Sequence, residues 1–189
     1  FNKFISSTGF IIKPQDGAGC IDTFFVADNA SLESWLDLHY DDLDNVIIQP
    51  YLEGMSVSLN VLSDYDDSRV LSINQQKIRF NDDKLSFLGS IVNGVDENVL
   101  ALAQAAKITS SIQQAITGLW GFIGIDLILH KGELFVVDIN PRLTTSYIGL
   151  RQSLDHNPVQ LLFTMMELGV SALPDPLQRK AIEVNVWHQ

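Results

Sequence analysis

The chain has 189 residues, 46% hydrophobic and 19% charged, with a formal net charge of −11 and a single cysteine, Cys20. That length is ample for one large or two small domains with a real core; the acidic balance argues against a nucleic-acid partner, because phosphate backbones are gripped by basic surfaces; and one cysteine excludes an internal disulfide framework and fits a reducing, cytoplasmic setting. No apolar run reaches the roughly 18 residues of a membrane-spanning helix, the four histidines show no zinc-ligand spacing, and a chain that starts at Phe1 rather than Met reads as part of a longer protein.

Residues 9–14 (GFIIKP) form a short buried strand ending in Lys13-Pro14. The turn-rich loop 15–20 (QDGAGC) joins it to a second strand over 21–27. A lysine at a strand end before a glycine-containing loop supplies a point charge, and glycines let backbone N–H groups approach a phosphate. The loop lacks the GxxxxGK[ST] order of a Walker motif, and by itself such a stretch is more often an ordinary hairpin turn. Residues 28–39 (DNASLESWLDLH) predict a short helix with Asn29 or Ser31 as cap.

Residues 45–54 (NVIIQPYLEG) read as an apolar strand interrupted at Pro50. Proline has no N–H to give a ladder, so this is either an ordinary sheet edge or an edge whose free groups read a purine. In MSVSLNVL, Val57, Leu59 and Val61 alternate with Ser56, Ser58 and Asn60, the pattern of a half-exposed strand. Strands over 68–80 and 84–92 flank the turn signal NDD. Residues 97–117 form the longest helical pattern, with Val99, Leu102, Ala106, Thr109, Ile112 and Ile116 on one face and Gly118 as terminator. Two strands follow around Lys131-Gly132, then a helix capped by Asn157 with Pro158 at its first position, then a last strand, KAIEVNVW. Strands outnumber helices and mostly join by short turns, which argues for an α+β fold with antiparallel sheets.

The hairpin around Lys131-Gly132 carries the chemistry. With a three-residue loop, 131–133, His130 faces Leu134 and Asp126 faces Asp138. One face then holds Asp126, Ile128, Leu134, Val136, Asp138 and Asn140, and the other is wholly apolar; a two-residue loop would set Asp126 against Val137 and put an acid on each face. Opposed carboxylates repel unless something neutralises them. A hard divalent cation does so with oxygen ligands, completing its shell from water and phosphate. Arg142 adds a planar fork for a phosphoryl group or carboxylate. The alternative is two solvated acids at a sheet edge. Lys77, Arg79 and Arg151 are further cations, either solvated surface charges or anion contacts.

Lys-Pro before a glycine loop, a QPYLEG-type strand, and Asp126 followed by Asp138-x-Asn140-x-Arg142 stand in the order of the ATP-grasp superfamily, which the chain resembles from about residue 9 to 168. The resemblance implies two α+β subdomains with antiparallel sheets sandwiching ATP: a small one over 1–52, and a large one with the metal site over 53–189. An N-terminal domain found in such enzymes is not seen in this sequence. It implies that Lys13 meets the α/β-phosphates and that loop 15–20, with Gly17 and Gly19, covers them. Gln49, Pro50, Tyr51 and Leu52 would form the adenine-contact segment. Asp126, Asp138 and Asn140 would hold Mg²⁺, with Mn²⁺ as an alternative, and Arg142 would steady the transferred phosphoryl group. Two positions depart from the pattern: Asp138 stands where the family commonly has Glu, and Ser56 falls where a ribose-binding acid is expected, with Glu53 as a substitute.

The reaction implied is ATP-dependent joining of a carboxylate to an amine through an acyl phosphate. NPRLTTSYIG together with SINQQKI and FLGSIVNG is similar to the tyramine–glutamate ligase group, linked to methanofuran-type cofactor biosynthesis. A carboxylase of the same superfamily and a non-catalytic nucleotide-binding or regulatory module are the alternatives. The expected partners are small molecules, with neither nucleic acid nor membrane, and a homo-oligomer is compatible with them.

Overall fold

The computed structural model describes residues 8–39, 44–176 and 178–186. They fall into two compact units. Unit 1 comprises Phe1–Glu53 and Ile78–Leu88, and unit 2 comprises Gly54–Lys77 and Gly89–Gln189.

Unit 1 is built on three strands, β1 (Phe10–Pro14), β2 (Phe24–Val26) and β3 (Val46–Pro50). β1 lies between the other two and pairs antiparallel with both. β2 is shorter than the 21–27 expected from its apolar residues. Cys20 and Asp22 take left-handed backbone angles, and such residues cannot extend a ladder. Helix α1 (Asn29–Leu38) covers the sheet, with Leu32, Trp35 and Leu36 against Phe10, Ile12 and Val26. Its cap is Asp28, rather than Asn29 or Ser31: the Asp28 carboxylate accepts the Ser31 N–H at 2.7 Å. Phe25, Tyr51 and Phe80 pack edge-on at 5.0–6.1 Å in the same unit.

Unit 2 holds β4 (Met55–Ser63), β7 (Gly121–His130) and β8 (Glu133–Asn140), with the adjoining parts of β5 (Ser68–Asn81) and β6 (Lys84–Val92). β4 pairs antiparallel with β5 on one side and β7 on the other, β8 extends the sheet from β7, and β9 (Ile182–Asn185) adds to β6. One face packs Val57, Leu59, Ile125 and Leu127 against helix α2 (Leu102–Ala115). The other packs Leu62, Leu71 and Val92 against α3 (Tyr147–Leu154) and α4 (Pro158–Leu168). With helices on both faces, β4 is not the half-exposed strand its alternation predicts: Ser58 and Asn60 are buried along with Val57 and Leu59.

Two further expectations change. α2 begins at Leu102, because residues 96–100 form a turn in which Leu100 N–H donates to the Asp96 carbonyl. The buried stripe is therefore Ala105, Thr109 and Ile112, and Val99, Leu102 and Ile116 are exposed. α3, which the sequence reading left as part of the NPRLTTSYIG motif, is a helix of eight residues, with Gly149 against Val92, Val184 and Ile182. Asn157 caps α4 as expected, accepting the Val159 N–H at 3.1 Å. The expected last strand is β9; its Trp187 lies outside the described residues. No helix among the described residues is long and apolar enough to cross a membrane.

Candidate functional site

The β7–β8 hairpin sets the site in unit 2. Its loop is two residues, Lys131 and Gly132, both at positive φ (49° and 84°), so His130 faces Glu133 rather than Leu134. That register alone would pair Asp126 with Val137. It does not, because the ladder shifts between Leu127↔Val136 and Asp126↔Asp138, and Val137 becomes the extra residue of a bulge. The predicted pairing of the acids therefore holds, by a different route. Beyond the bulge the faces differ from the expectation: Leu134 and Val136 lie opposite Leu129 and Leu127, while Phe135 lies opposite Ile128 on the acid side and is 40% exposed.

Residues opposite one another in an antiparallel ladder share a face. Following the registers across unit 2 gives one row of Asn74, Ser58, Asp126 and Asp138. The neighbouring row is Ser72, Asn60, Gly124 and Asn140. Asp138 is exposed and Asp126 half-buried, so the rows run from the sheet interior to an open edge at β8. The interior members are hydrogen-bonded, as buried polar groups must be. Asn74 Nδ2 donates to Ser58 Oγ at 3.3 Å, and Asn60 Nδ2 donates to Ser72 Oγ at 2.9 Å.

Both Asp126 oxygens accept from neutral amides, Oδ1 from Gln76 Nε2 at 2.8 Å and Oδ2 from Asn140 Nδ2 at 3.2 Å. Asn140 is 9% exposed, and its Oδ1 accepts from Arg142 NH2 at 2.9 Å. The carboxamide thus bridges the acid and the guanidinium. Asp138 Oδ1 accepts the Ile139 N–H at 3.0 Å. Gln76 was not among the residues expected here. Its signal lies in the parity of β5, two positions beyond Asn74 and so on the same face, which is read only once the β4–β5 register is known.

Among the described residues, no group of three or more His, Cys, Asp or Glu side chains is placed to hold a metal ion. The donor set here is two carboxylates and a carboxamide. All three offer hard oxygen, which suits Mg²⁺, a cation that takes one or two carboxylates and fills its shell from water and phosphate. In the present orientation the Asn140 oxygen faces Arg142; a half-turn of the carboxamide would bring it to the Asp126 side for a cation, in exchange for the hydrogen bonds to Asp126 and Arg142.

After Asn140 the chain turns through 141–146 into α3. Arg142 N–H donates to the Asn140 carbonyl at 2.7 Å. Thr144 Oγ1 and Ser146 Oγ both donate to Asn60 Oδ1 at 3.2 Å. The turn lies over Gly124: a Cβ there would sit 2.2 Å from Thr144 Cγ2, so only glycine leaves room for it.

The residues expected at the nucleotide lie in unit 1, apart from Ser56; of the further cations, Arg79 lies in unit 1, while Lys77, ion-paired with Glu183 at 2.7 Å, and Arg151 lie in unit 2. Lys13 lies opposite Ile47 and is half-buried. Loop 15–20 is exposed at Gly17 and Gly19, and Gln15 N–H ties its start to the Asn45 carbonyl at 2.7 Å. Gln49 lies opposite Ile11 and Pro50 opposite Phe10. Tyr51 N–H donates to the Gly9 carbonyl, its own carbonyl accepts from Thr8 Oγ1 at 2.6 Å, and Leu52 follows, half-buried. Ser56 belongs to unit 2, half-buried in β4 opposite Ile128.

Two clefts of unit 2 lie away from these rows. One, of about 380 Å³, is lined by α4 residues including Phe163, Thr164 and Glu167. The other, of about 270 Å³, is lined by Asn93, Asp96, Glu97 and Arg179. Burial pulls the Arg179 guanidinium below its ordinary pKa, although nearby Glu97 and Asp175 oppose the shift. Neither cleft includes Asp126 or Asp138.

A family model described as ATP-grasp domain matches residues 3–146. The chain is 30% identical over 111 residues to tyramine–L-glutamate ligase of Methanocaldococcus jannaschii, covering 57% of this chain and 32% of that protein. It therefore spans about a third of that relative's length. Among solved structures, an L-amino acid ligase from Bacillus licheniformis superposes with a TM-score of 0.67 at 19% identity, over 94% of this chain and 41% of the other. An N5-carboxyaminoimidazole synthetase from Staphylococcus aureus, solved with ADP, gives 0.65 at 18% identity, over 93% and 44%. At such identities these two likenesses speak for the fold.

Proposed function

The chain belongs to the ATP-grasp domain family, and on that premise we propose that it is the nucleotide-binding part of an ATP-dependent ligase that joins a carboxylate to an amine. The observation that carries the proposal is the edge of unit 2: Asp126 opposite Asp138, Asn140 bonded to Asp126, and Arg142 bonded to Asn140. A sheet edge with no chemical task would gain nothing from opposed acids.

In this reading Asp126, Asp138 and Asn140 would hold Mg²⁺, or Mn²⁺ in its place, and the cation would supply neutralisation of phosphate charge. Lys13 offsets charge on the α/β side, and Gly17 and Gly19 let their loop approach the phosphates. Gln49, Pro50, Tyr51 and Leu52 contact adenine; Ser56 stands at the ribose position. The functional division in this reading is a small subdomain over 1–52 and a large one over 53–189, which differs from the two compact units in that Glu53 and residues 78–88 pack with the former.

A substrate carboxylate oxygen attacks the γ-phosphorus as the bond to the ADP oxygen breaks, which gives an acyl phosphate. Arg142 stabilises charge on the equatorial oxygens of the transferred group. The amine nitrogen then attacks the acyl carbon, the bond to phosphate breaks, and the amine loses a proton. The protein's part is positioning and electrostatics. The likeness to tyramine–L-glutamate ligase makes glutamate and an arylethylamine the substrates to try first, with methanofuran-type cofactor assembly, in the cytoplasm, as the setting.

The test is ADP release by the full-length protein with Mg-ATP and L-glutamate over a panel of amines that includes tyramine. Amine-dependent release is expected. Demonstrable Mg-ATP binding without release for any amine would overturn the ligase reading for glutamate and turn attention to other carboxylates and bicarbonate.

A further inference from the structure

The geometry points to Asn60 as a positioning residue that holds the 141–146 turn, and through it Arg142, over the sheet; the inference deepens the proposed reaction and rests on it. Asn60 lies in the middle of β4, 4% exposed, in the row that ends at Asn140. A carboxamide at this depth needs partners on both ends. It has them: Nδ2 donates to Ser72 Oγ, and Oδ1 accepts from both Thr144 Oγ1 and Ser146 Oγ. Thr144 and Ser146 are also within 3.1 Å of each other, so the two hydroxyls and the carboxamide close a triangle.

The triangle spans two parts of the fold. Ser72 and Asn60 pair in the sheet interior, at the last position before the β4–β5 register shifts, and Asn60 also pairs with Gly124 of β7. Thr144 and Ser146 belong to the turn between β8 and α3 that carries Arg142. Arg142 is exposed and lies next to Asn140, to which it is bonded through both its backbone N–H and NH2. Its place is therefore set from two sides: from Asn140 at the end of β8, and from the Thr144–Ser146 anchor two residues on. The missing side chain at Gly124 serves the same end, because Thr144 Cγ2 takes the room a Cβ would fill and its hydroxyl reaches Asn60. Removing the Asn60 carboxamide leaves two hydroxyls without their acceptor and frees one of the two anchors. Asn60 itself is buried, and its carboxamide is taken up by Ser72, Thr144 and Ser146, so Asn60 acts through the turn.

The test compares Asn60→Ala, Thr144→Val/Ser146→Ala, Thr144→Ser and the triple Asn60→Ala/Thr144→Val/Ser146→Ala in the full-length protein. Hydrogen–deuterium exchange is followed in peptides covering 141–147, with no substrate present. Asn60→Ala and the hydroxyl-deleted double variant are each expected to exchange on the order of tenfold faster there, with peptides of α2 unchanged. Thr144→Ser keeps the hydroxyl and keeps protection. The triple variant exchanges no faster than either, because an anchor is lost only once. Unchanged protection of 141–147 in Asn60→Ala, or further loss in the triple, overturns the inference. Should Asn60→Ala fail to fold, the double variant, which leaves the sheet interior intact, decides.

In turnover, Asn60→Ala is expected to lower kcat by about 10–100-fold, the scale on which residues that orient a functional group act, with KM for ATP within about threefold. A wild-type protein that turns over no carboxylate–amine pair would refute the proposed reaction, while the exchange result would still decide the role of Asn60.

Discussion

Replacing Asp138 by alanine separates what the acid does for the fold from what it does for the reaction. Asp138 is exposed, and its carboxylate accepts a hydrogen bond from its own neighbour, Ile139. It stands opposite Asp126, a like-charge cross-strand pair. Losing a surface contact of this kind is worth within about 0.5 kcal/mol, and relief of the opposed charge returns about 0.2–1 kcal/mol in metal-free buffer. The two nearly cancel. With a shift of about 2–4 °C per kcal/mol for a domain of this size, Asp138→Ala should melt between about 1 °C below and about 4 °C above wild type. Function should respond quite differently. A metal ligand at a phosphoryl-transfer site acts on charge in the transition state, so turnover should fall by about 100-fold or more. Differential scanning calorimetry of the full-length protein with and without Mg-ATP, beside a turnover assay, reads both. Wild type should gain stability from Mg-ATP, and the variant should gain much less. A variant that loses several degrees without ligand, or that turns over near normally, would refute the reasoning.

Gly124→Ala places a methyl group where Thr144 Cγ2 already lies. Because β-branched Thr144 is stiff at χ1, this should cost about 1–3 kcal/mol in urea unfolding; adding Thr144→Ser, which removes that methyl and keeps the hydroxyl, should recover most of it, and no recovery would mean the close approach is not what glycine is for. Gln76→Leu removes the donor to Asp126 Oδ1 and should raise the Mg²⁺ concentration for half-maximal activity by about 10–100-fold; an unchanged Mg²⁺ titration would show that Gln76 does not orient the acid. Burial pushes the Asp64 carboxyl up, but N–H donations from Val170, Asp66 and Asp67 outweigh it and hold the group below its ordinary value of 3.8. A depressed folded pKa stabilises above the unfolded value and loses that contribution as pH falls through the folded one. The stability gap between wild type and Asp64→Asn should therefore be level above about pH 5 and close below pH 4, and a gap that widens on acidification would contradict the assignment.

The elements were legible in sequence wherever local rules decide them. Pro158 after Asn157 announces α4, and Lys131-Gly132 announces a hairpin. What the sequence could not carry was the compensation between two local features. A two-residue loop and a bulge at Val137 each shift the pairing by one, and only together do they set Asp126 against Asp138. Counting along the chain found the right pair by assuming one longer loop, and so misassigned Leu134 through Val137. Burial of β4 was hidden for a related reason. Ser58 and Asn60 look like a solvent face because they are polar, but they are covered on that side and linked to Ser72, Asn74, Thr144 and Ser146. α3 was missed because the NPRLTTSYIG stretch reads first as a motif, and its helix depends on Gly149 meeting β6 and β9, partners distant in sequence.

Those buried polar rows bear on how the site keeps its shape. Carboxylates at a sheet edge are cheap to place and easy to displace, since the last strand is held on one side only. Here the edge strand β8 is bulged one residue before Asp138, and a bulge relaxes the ladder where the acid most needs a fixed position. The hydrogen bonds inward from the edge offset that weakness. Asn140 holds Asp126, Gln76 holds it from β5, and Asn60 holds the turn beyond Asn140. Each of these amides comes from a different strand, so no single ladder slip moves them together. An apolar substitution at Asn60 would leave the buried Ser72 and Ser146 hydroxyls without their partner, at about 1–3 kcal/mol. Neutral amides also hold Asp126 without cancelling its charge, as a lysine or arginine would. The charge thereby stays available to the proposed cation, which is the reading under which an amide-rich face next to opposed acids makes sense.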